Sequence, residues 1–209
     1  MAVEITWLGH ASFRLASPGC VVYIDPWKIA GRPRDADVVF VSHSHRDHLS
    51  PPDVQRVGKD DTTILAPPDA AASLAPARTI SPGETIQIGE LTVETTPAYN
   101  VGKAFHPKNR NWCGAVFTLA GVRIYYSGDT DRIREMDDLK DVDVALLPVG
   151  GTYTLNAAEA AQVCKTICPG RAIPYHWGDI VGVRADAQAF AEAAGVEVNV
   201  LQPGETITV

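Results

Sequence analysis

The chain has 209 residues, 45% hydrophobic and 21% charged; this is ordinary globular composition, with length for one full-sized domain and slightly too little for two. Its formal net charge of −7 excludes bulk attraction to nucleic acid or to an anionic membrane surface. The longest apolar runs, such as 144–149, are far too short to cross a bilayer, and nothing specifies an oligomeric state.

The opening Met1-Ala2-Val3-Glu4 places no basic segment ahead of an apolar one, so a cleaved leader is not expected and a cytoplasmic location is. Short β-rich runs follow at 3–7, 12–16 and 21–25, separated by Gly-His and Ser-Pro-Gly turns. The run 37–41 is nearly all apolar, as expected of a buried strand, and it ends directly at Ser42-His43. A helix is expected over 51–58, with Ser50 as its N-cap and prolines in the first turn. Next come a strand at 63–66, a short helix at 69–74, and a hairpin of 85–88 with 91–96 turning at Gly89-Glu90. Residues 97–112 are irregular and basic. A second hairpin pairs 113–119 with 122–127, and 143–147 is a strand. The helix 156–167 opens on Asn156 with Glu159 three residues on, a capping box. A strand at 171–175, a helix at 185–194 and two closing strands complete one expected domain, 1–209. Of the four cysteines, Cys164 and Cys168 stand four apart on a predicted helix, so both could face the core as reduced thiols.

The outstanding feature is His43-Ser44-His45-Arg46-Asp47-His48, three histidines and an aspartate in six residues. Imidazole nitrogen and carboxylate oxygen are the ligands zinc accepts in catalytic sites. His43 and His45 can chelate one ion from an extended turn, while Asp47 and His48 can reach a second beside it. A solvated loop explains such a cluster poorly, because histidines that become cationic together repel unless something holds them neutral. Asp129 in Gly128-Asp129-Thr130-Asp131 and His176 each follow a predicted strand directly, as the histidine cluster does. Either alone reads as an ordinary turn residue. Their shared placement at strand ends favours the metal reading.

These segments, with Ile24-Asp25-Pro26, Ser127-Gly128-Asp129-Thr130 and Pro174-Tyr175-His176, resemble the metallo-β-lactamase superfamily over essentially the whole chain. The opening Trp7-Leu8-Gly9-His10-Ala11-Ser12-Phe13 resembles its small metal-dependent hydrolases related to ascorbate-6-phosphate lactonase and N-acyl phosphatidylethanolamine phospholipase D. The resemblance implies an α+β fold, an αββα sandwich of two mostly antiparallel sheets with outer helices and the metals at one edge. It further implies His43 and His45 on the first metal, Asp47, His48 and His176 on the second, Asp129 bridging, and Asp25 bracing the loop from behind. Members carry a further first-site histidine just past the strand that is here 91–96. This chain has Pro97-Ala98-Tyr99-Asn100 there, so either His106 loops back as the third ligand or Asn100 stands in.

The function expected is a hydrolase with two divalent ions, zinc first, with manganese or iron tolerated. Ions about 3.5–4 Å apart would hold a bridging water and yield hydroxide near neutral pH, for attack on an ester-type bond (phosphodiester, lactone or thioester) of a small substrate. Asp47 is the expected proton acceptor and His10 a further candidate, as proton donor or substrate contact. Lys103, Lys108 and Arg110 flank His106 with no acidic residue nearby, suggesting a substrate-binding mouth for an anion or merely a solvated basic loop. The alternatives are an iron-dependent redox enzyme or a non-catalytic metal-binding module on the same fold.

Overall fold

In the computed structural model, which describes residues 2–209, the β-rich runs of the first third pair into one sheet. Its chain-order strands are β1 (Glu4–Gly9), β2 (Ser12–Ser17), β3 (Cys20–Ile24), β4 (Ala36–Phe40), β5 (Gly58–Ala66) and β6 (Arg78–Thr79). The second sheet holds β7 (Thr85–Ile88), β8 (Leu91–Pro97), β9 (Cys113–Leu119), β10 (Val122–Tyr126), β11 (Val144–Pro148), β12 (Arg171–Tyr175) and β13 (Glu197–Val198). The last strand, β14 (Thr206–Thr208), returns to pair with β1 in the first sheet. Four α-helices among the described residues, α1 (Pro51–Val57), α2 (Pro68–Ala71), α3 (Ala157–Ile167) and α4 (Arg184–Ala193), complete the αββα arrangement. None is long and apolar enough to cross a membrane.

Side-chain alternation builds the layers. Val38 and Phe40 of β4 face the core between the sheets, whereas Val39 and Val41 pack with Val54 and Ala70 of α1 and α2. A strand buried on both faces reads as an unbroken apolar run, which is why 37–41 looked that way. Phe40 meets Phe117 edge-on at 5.3 Å and Phe13 meets Tyr175 at 5.7 Å, tying the two inner faces together. The capping box of α3 is present, with Glu159 N–H donating to Asn156 Oδ1 and Asn156 N–H to Glu159 Oε2, both at 2.9 Å.

Strand direction differs from expectation. Each sheet runs through three antiparallel pairings and then three parallel ones, β14 to β3 then β3 to β6, and β7 to β10 then β10 to β13. The sheets are therefore mixed rather than mostly antiparallel. Periodicity reports which face is buried and is blind to direction. The two closing strands likewise go to different sheets. Strand β5 starts at Gly58 rather than 63, α2 stops at Ala71, and Cys168 is exposed beyond the C-terminus of α3 while Cys164 is buried.

Gly114 sets how closely β9 approaches the segment that leads into Asp129. A Cβ there would stand 2.6 Å from the backbone oxygens of both Tyr126 and Ser127, which cannot swing aside. Gly114→Ala is expected to destabilise the chain by about 1–3 kcal/mol, read as a lower midpoint in urea with an unchanged slope; an unshifted midpoint would contradict this reading.

Candidate metal centre

Because β1, β3 and β4 run the same way in one sheet, and β8, β10 and β12 the same way in the other, their C-terminal ends collect in two rows. Every expected site histidine and aspartate leaves one of these ends: His10 after β1, Asp25 after β3, His43 to His48 after β4, His106 beyond β8, Asp129 after β10 and His176 after β12. Three take left-handed backbone angles uncommon for residues with a side chain, His10 (φ 49), Asp25 (φ 43) and His176 (φ 61).

The structure brings these side chains together in two groups. His43, His45 and His106 each present a ligand atom within 4.8 Å of the others, and so do His10, Asp47, His48 and His176. Asp129 lies between them: its Oδ2 is 3.4 Å from His48 Nε2, 3.4 Å from His106 Nε2 and 3.1 Å from His176 Nε2. The Nε2 atoms of His48, His106 and His176 and Oδ1 of Asp129 are buried without hydrogen-bond partners. Each such orphan costs about 1–3 kcal/mol, so four converging in one place require compensation, and nitrogen and carboxylate oxygen are what a divalent transition ion takes. The donor set fits metal.

Supporting hydrogen bonds fix which ring nitrogen faces inward. Asp25 accepts from the Ser42 hydroxyl at 2.5 Å, the Tyr126 hydroxyl at 2.6 Å, Ser42 N–H at 2.7 Å and His48 Nδ1–H at 2.7 Å. With its own proton on Asp25, Ser42 Oγ accepts from His43 Nδ1–H at 2.9 Å. His48 and His43 thus turn Nε2 rather than Nδ1 towards the centre, as ligation demands. Asn100 Oδ1 does the same for His106, accepting from its Nδ1–H and backbone N–H, both at 3.0 Å. Of the two residues weighed past β8, it is His106 that meets His43 and His45, with Asn100 behind it. His45 Nδ1 faces His43 Nε2 at 3.1 Å.

The electrostatics follow from this packing. Burial pushes His43 well below the ordinary histidine value and also lowers His45. Burial would likewise lower His48, but Asp129 and Asp25 on either side raise it well above. Burial opposes ionisation of Asp129, yet His176 and His48 hold its carboxyl well below the usual range. Asp47 is lowered in the same sense, chiefly by His10, whose Nε2 lies 3.0 Å from Asp47 Oδ2.

The basic residues around His106, read from the sequence as an anion-binding mouth or a solvated loop, each meet an acid. Lys103 pairs with Asp131 and donates to Thr154 O at 2.8 Å, and Lys108 pairs with Glu135 at 2.8 Å while lying over the Tyr99 ring. Arg110 points to Asp69, 4.0 Å away. None of the three lines the 170 Å³ cavity above the centre, whose cation is Arg46 and whose rim is Phe105, Tyr153 and Ile180. His10 is also absent from that lining; it holds Asp47 from behind. Sequence reasoning missed Ser42, Tyr126 and Trp112. The last walls the centre, its ring 4.9 Å from both His43 and His45, with its N–H on Asp69 at 2.9 Å. Trp112 closes the irregular loop that also carries His106, a position without helical or strand periodicity to mark it.

Two sheets, outer helices and a His/Asp centre at the strand ends define the metallo-β-lactamase class of metal-dependent hydrolases. Residues 4–176 match the β-lactamase superfamily domain, and the chain belongs to that family. It is 31% identical to a UPF0173 metal-dependent hydrolase of Pyrococcus furiosus, over 98% of its own length and 99% of the relative's. A similar protein of Methanoculleus marisnigri is 32% identical, over 99% of this chain and 97% of that one. A crystal structure from Parabacteroides distasonis, assigned as a metal-dependent hydrolase, superposes with a TM-score of 0.86 at 32% identity, covering 97% of this chain and 94% of that one.

Two outcomes are expected. His48 holds its proton above the ordinary value of 6.5, and ligation must displace it. Metal uptake by chelator-treated protein should therefore release protons, and apparent affinity, measured by chelator competition, should keep rising with pH beyond that value. An affinity that levels off below pH 6.5 would contradict the assignment of His48. Asp25→Ala should weaken metal binding roughly 10–100-fold with the circular dichroism spectrum retained.

Proposed function

We propose that this chain is a dinuclear zinc hydrolase acting on an ester-type bond (phosphodiester, lactone or thioester) of a small substrate. The observation that carries the reading is Asp129 Oδ2, shared among imidazoles of both groups at 3.1–3.4 Å. His43, His45 and His106 would hold one ion, Asp47, His48 and His176 the other, with Asp129 between. When bound, divalent ions supply a water made acidic enough to react near neutral pH and positive charge beside the reacting bond.

The remaining work falls to the chain. The Asp47 side chain is 16% exposed and borders the cavity, so its ionised carboxylate can orient the attacking water and accept its proton. His10 is a positioning residue that fixes the Asp47 rotamer. The cavity, at 170 Å³, falls short of the roughly 300–1,000 Å³ of pockets that enclose drug-sized ligands, which suits a small reacting group. Arg46 at its edge makes no ion pair within 4.0 Å among the described residues and would face an anionic substituent.

The test reconstitutes chelator-treated protein with Zn²⁺ or Mn²⁺ and assays p-nitrophenyl phosphodiesters, lactones and thioesters. Two ions per chain are expected, with His106→Ala binding one. Asp47→Asn should lower kcat by about 10²–10⁴-fold, and His45→Ala should abolish turnover. Normal turnover in either, or a single ion in the parent chain, would remove the proposal.

A further inference from the structure

On the far side of His10 from Asp47 lies a second cavity, of about 280 Å³, sharing no lining residue with the one above the metal centre. Three of the chain's four tryptophans line it. Trp7 and Trp177, almost fully buried and 4.8 Å apart between ring centroids, form its floor. Trp27, half-buried, is a wall. The opposite boundary includes Leu8 and Pro203, and Lys28 and Asp179 pair at 2.7 Å across the solvent side.

This cavity is held in shape before any ligand arrives. Trp7 donates its indole N–H to His10 O at 3.0 Å and Trp177 donates to Pro174 O at 3.1 Å. The backbone N–H of Trp27 donates to Ser12 Oγ at 3.0 Å. The next two, of Lys28 and Ile29, donate to the Asp53 carboxylate at 2.9 and 3.2 Å. With the two floor indoles' N–H groups tied back into the protein, they contribute apolar ring surface and no free donor. The Lys28 ammonium covers one face of the Trp27 ring at 4.1 Å from its centroid, so a group stacking there takes its place. The Lys28–Asp179 pair is well exposed, and exposed pairs contribute about 0–1 kcal/mol, so its displacement is cheap.

Size narrows the occupant. An apolar cavity of about 150 Å³ accommodates benzene, so 280 Å³ suits a two-ring system. We propose that this cavity is a second ligand site, separated from the metal centre by His10, that takes a flat bicyclic aromatic group stacked on Trp27 above the Trp7–Trp177 floor. An ion-bearing head on that group would lie beside Lys28 and Asp179.

Indole, a bicyclic probe with no basic nitrogen to ligate a metal, tests this on the metal-loaded full chain by ¹H–¹⁵N spectroscopy of the four tryptophan side chains. Saturable shifts are expected at the Trp27 and Trp177 indole signals, with the Trp112 signal beside the metal centre unmoved. Trp27→Ala should weaken the apparent affinity by about tenfold, as loss of one stacking face does. Leu8→Trp, which fills the cavity from its half-buried rim, should abolish the shifts, and it decides the matter if Trp27→Ala disturbs folding. Shifts confined to Trp112, shifts that do not saturate, or undiminished binding in Leu8→Trp would overturn the proposal.

Discussion

The structure depends on keeping a set of desolvated imidazoles at the junction of two sheets without letting them repel. His10, His43, His48, His106 and His176 are each at most 2% exposed, and burial lowers the pKa of His10 and His43. Two buried carboxylates answer this from opposite sheets. Asp25, at the end of β3, collects the Ser42 and Tyr126 hydroxyls, the Ser42 N–H and the His48 ring. Asp129, at the end of β10, faces three Nε2 atoms and retains an oxygen with no partner. The difference between them is chemical. Asp25 has its lone pairs filled by donors and is a brace; Asp129 has capacity left over, and that remainder is what a cation would use.

Topology makes the convergence possible. Three antiparallel pairings followed by three parallel ones occur in each sheet, and β14 completes the first sheet in the place β7 holds in the second. Each half therefore delivers several strand ends to the same edge. Tight turns are needed to point short side chains back across that edge, and the left-handed angles at His10, Asp25 and His176 are the local consequence. Such angles cost of order 1–3 kcal/mol each and persist only where surrounding contacts over-determine them. Here the contacts are backbone hydrogen bonds: His176 N–H to His10 O at 2.9 Å joins two of the strained residues directly, and Asp25 N–H to Phe40 O at 2.8 Å secures the third. A close approach also needs Gly150, where a Cβ would stand 2.5 Å from His176 O.

Much of this was legible in the residues, for identifiable reasons. The layers follow from burial periodicity, and the strands carrying Asp25, His43, Asp129 and His176 announced themselves as β-rich runs ending in chemistry-bearing residues. Capping of α3 was readable because Asn156 and Glu159 act within one turn. Strand direction was not readable, because an apolar run looks the same from either end. Charge counting along 97–112 could not see the acids that meet Lys103, Lys108 and Arg110: Asp131, Glu135 and Asp69 come from other segments. His106 could be weighed but not fixed, since its placement depends on Asn100, six residues away in a loop of no regular period.

The same division separates what this centre does from what it does it to. The buried histidines and Asp129 are held by multiply bonded partners, many of them on strand ends, in a network that spans both sheets. The cavity rim is different in kind. Phe105 and Ile180 are 46% and 41% exposed, and Val101 and Val183, on the same two loops, are more exposed still. Phe105 meets Tyr153 edge-on at 4.7 Å, a contact between two loops that neither sheet enforces. A floor fixed by buried carboxylates and a rim of loosely held apolar side chains can vary independently. The strand ends then fix most of the buried His/Asp set, while the rim above it belongs to 97–112 and 176–183, the first of which also carries His106.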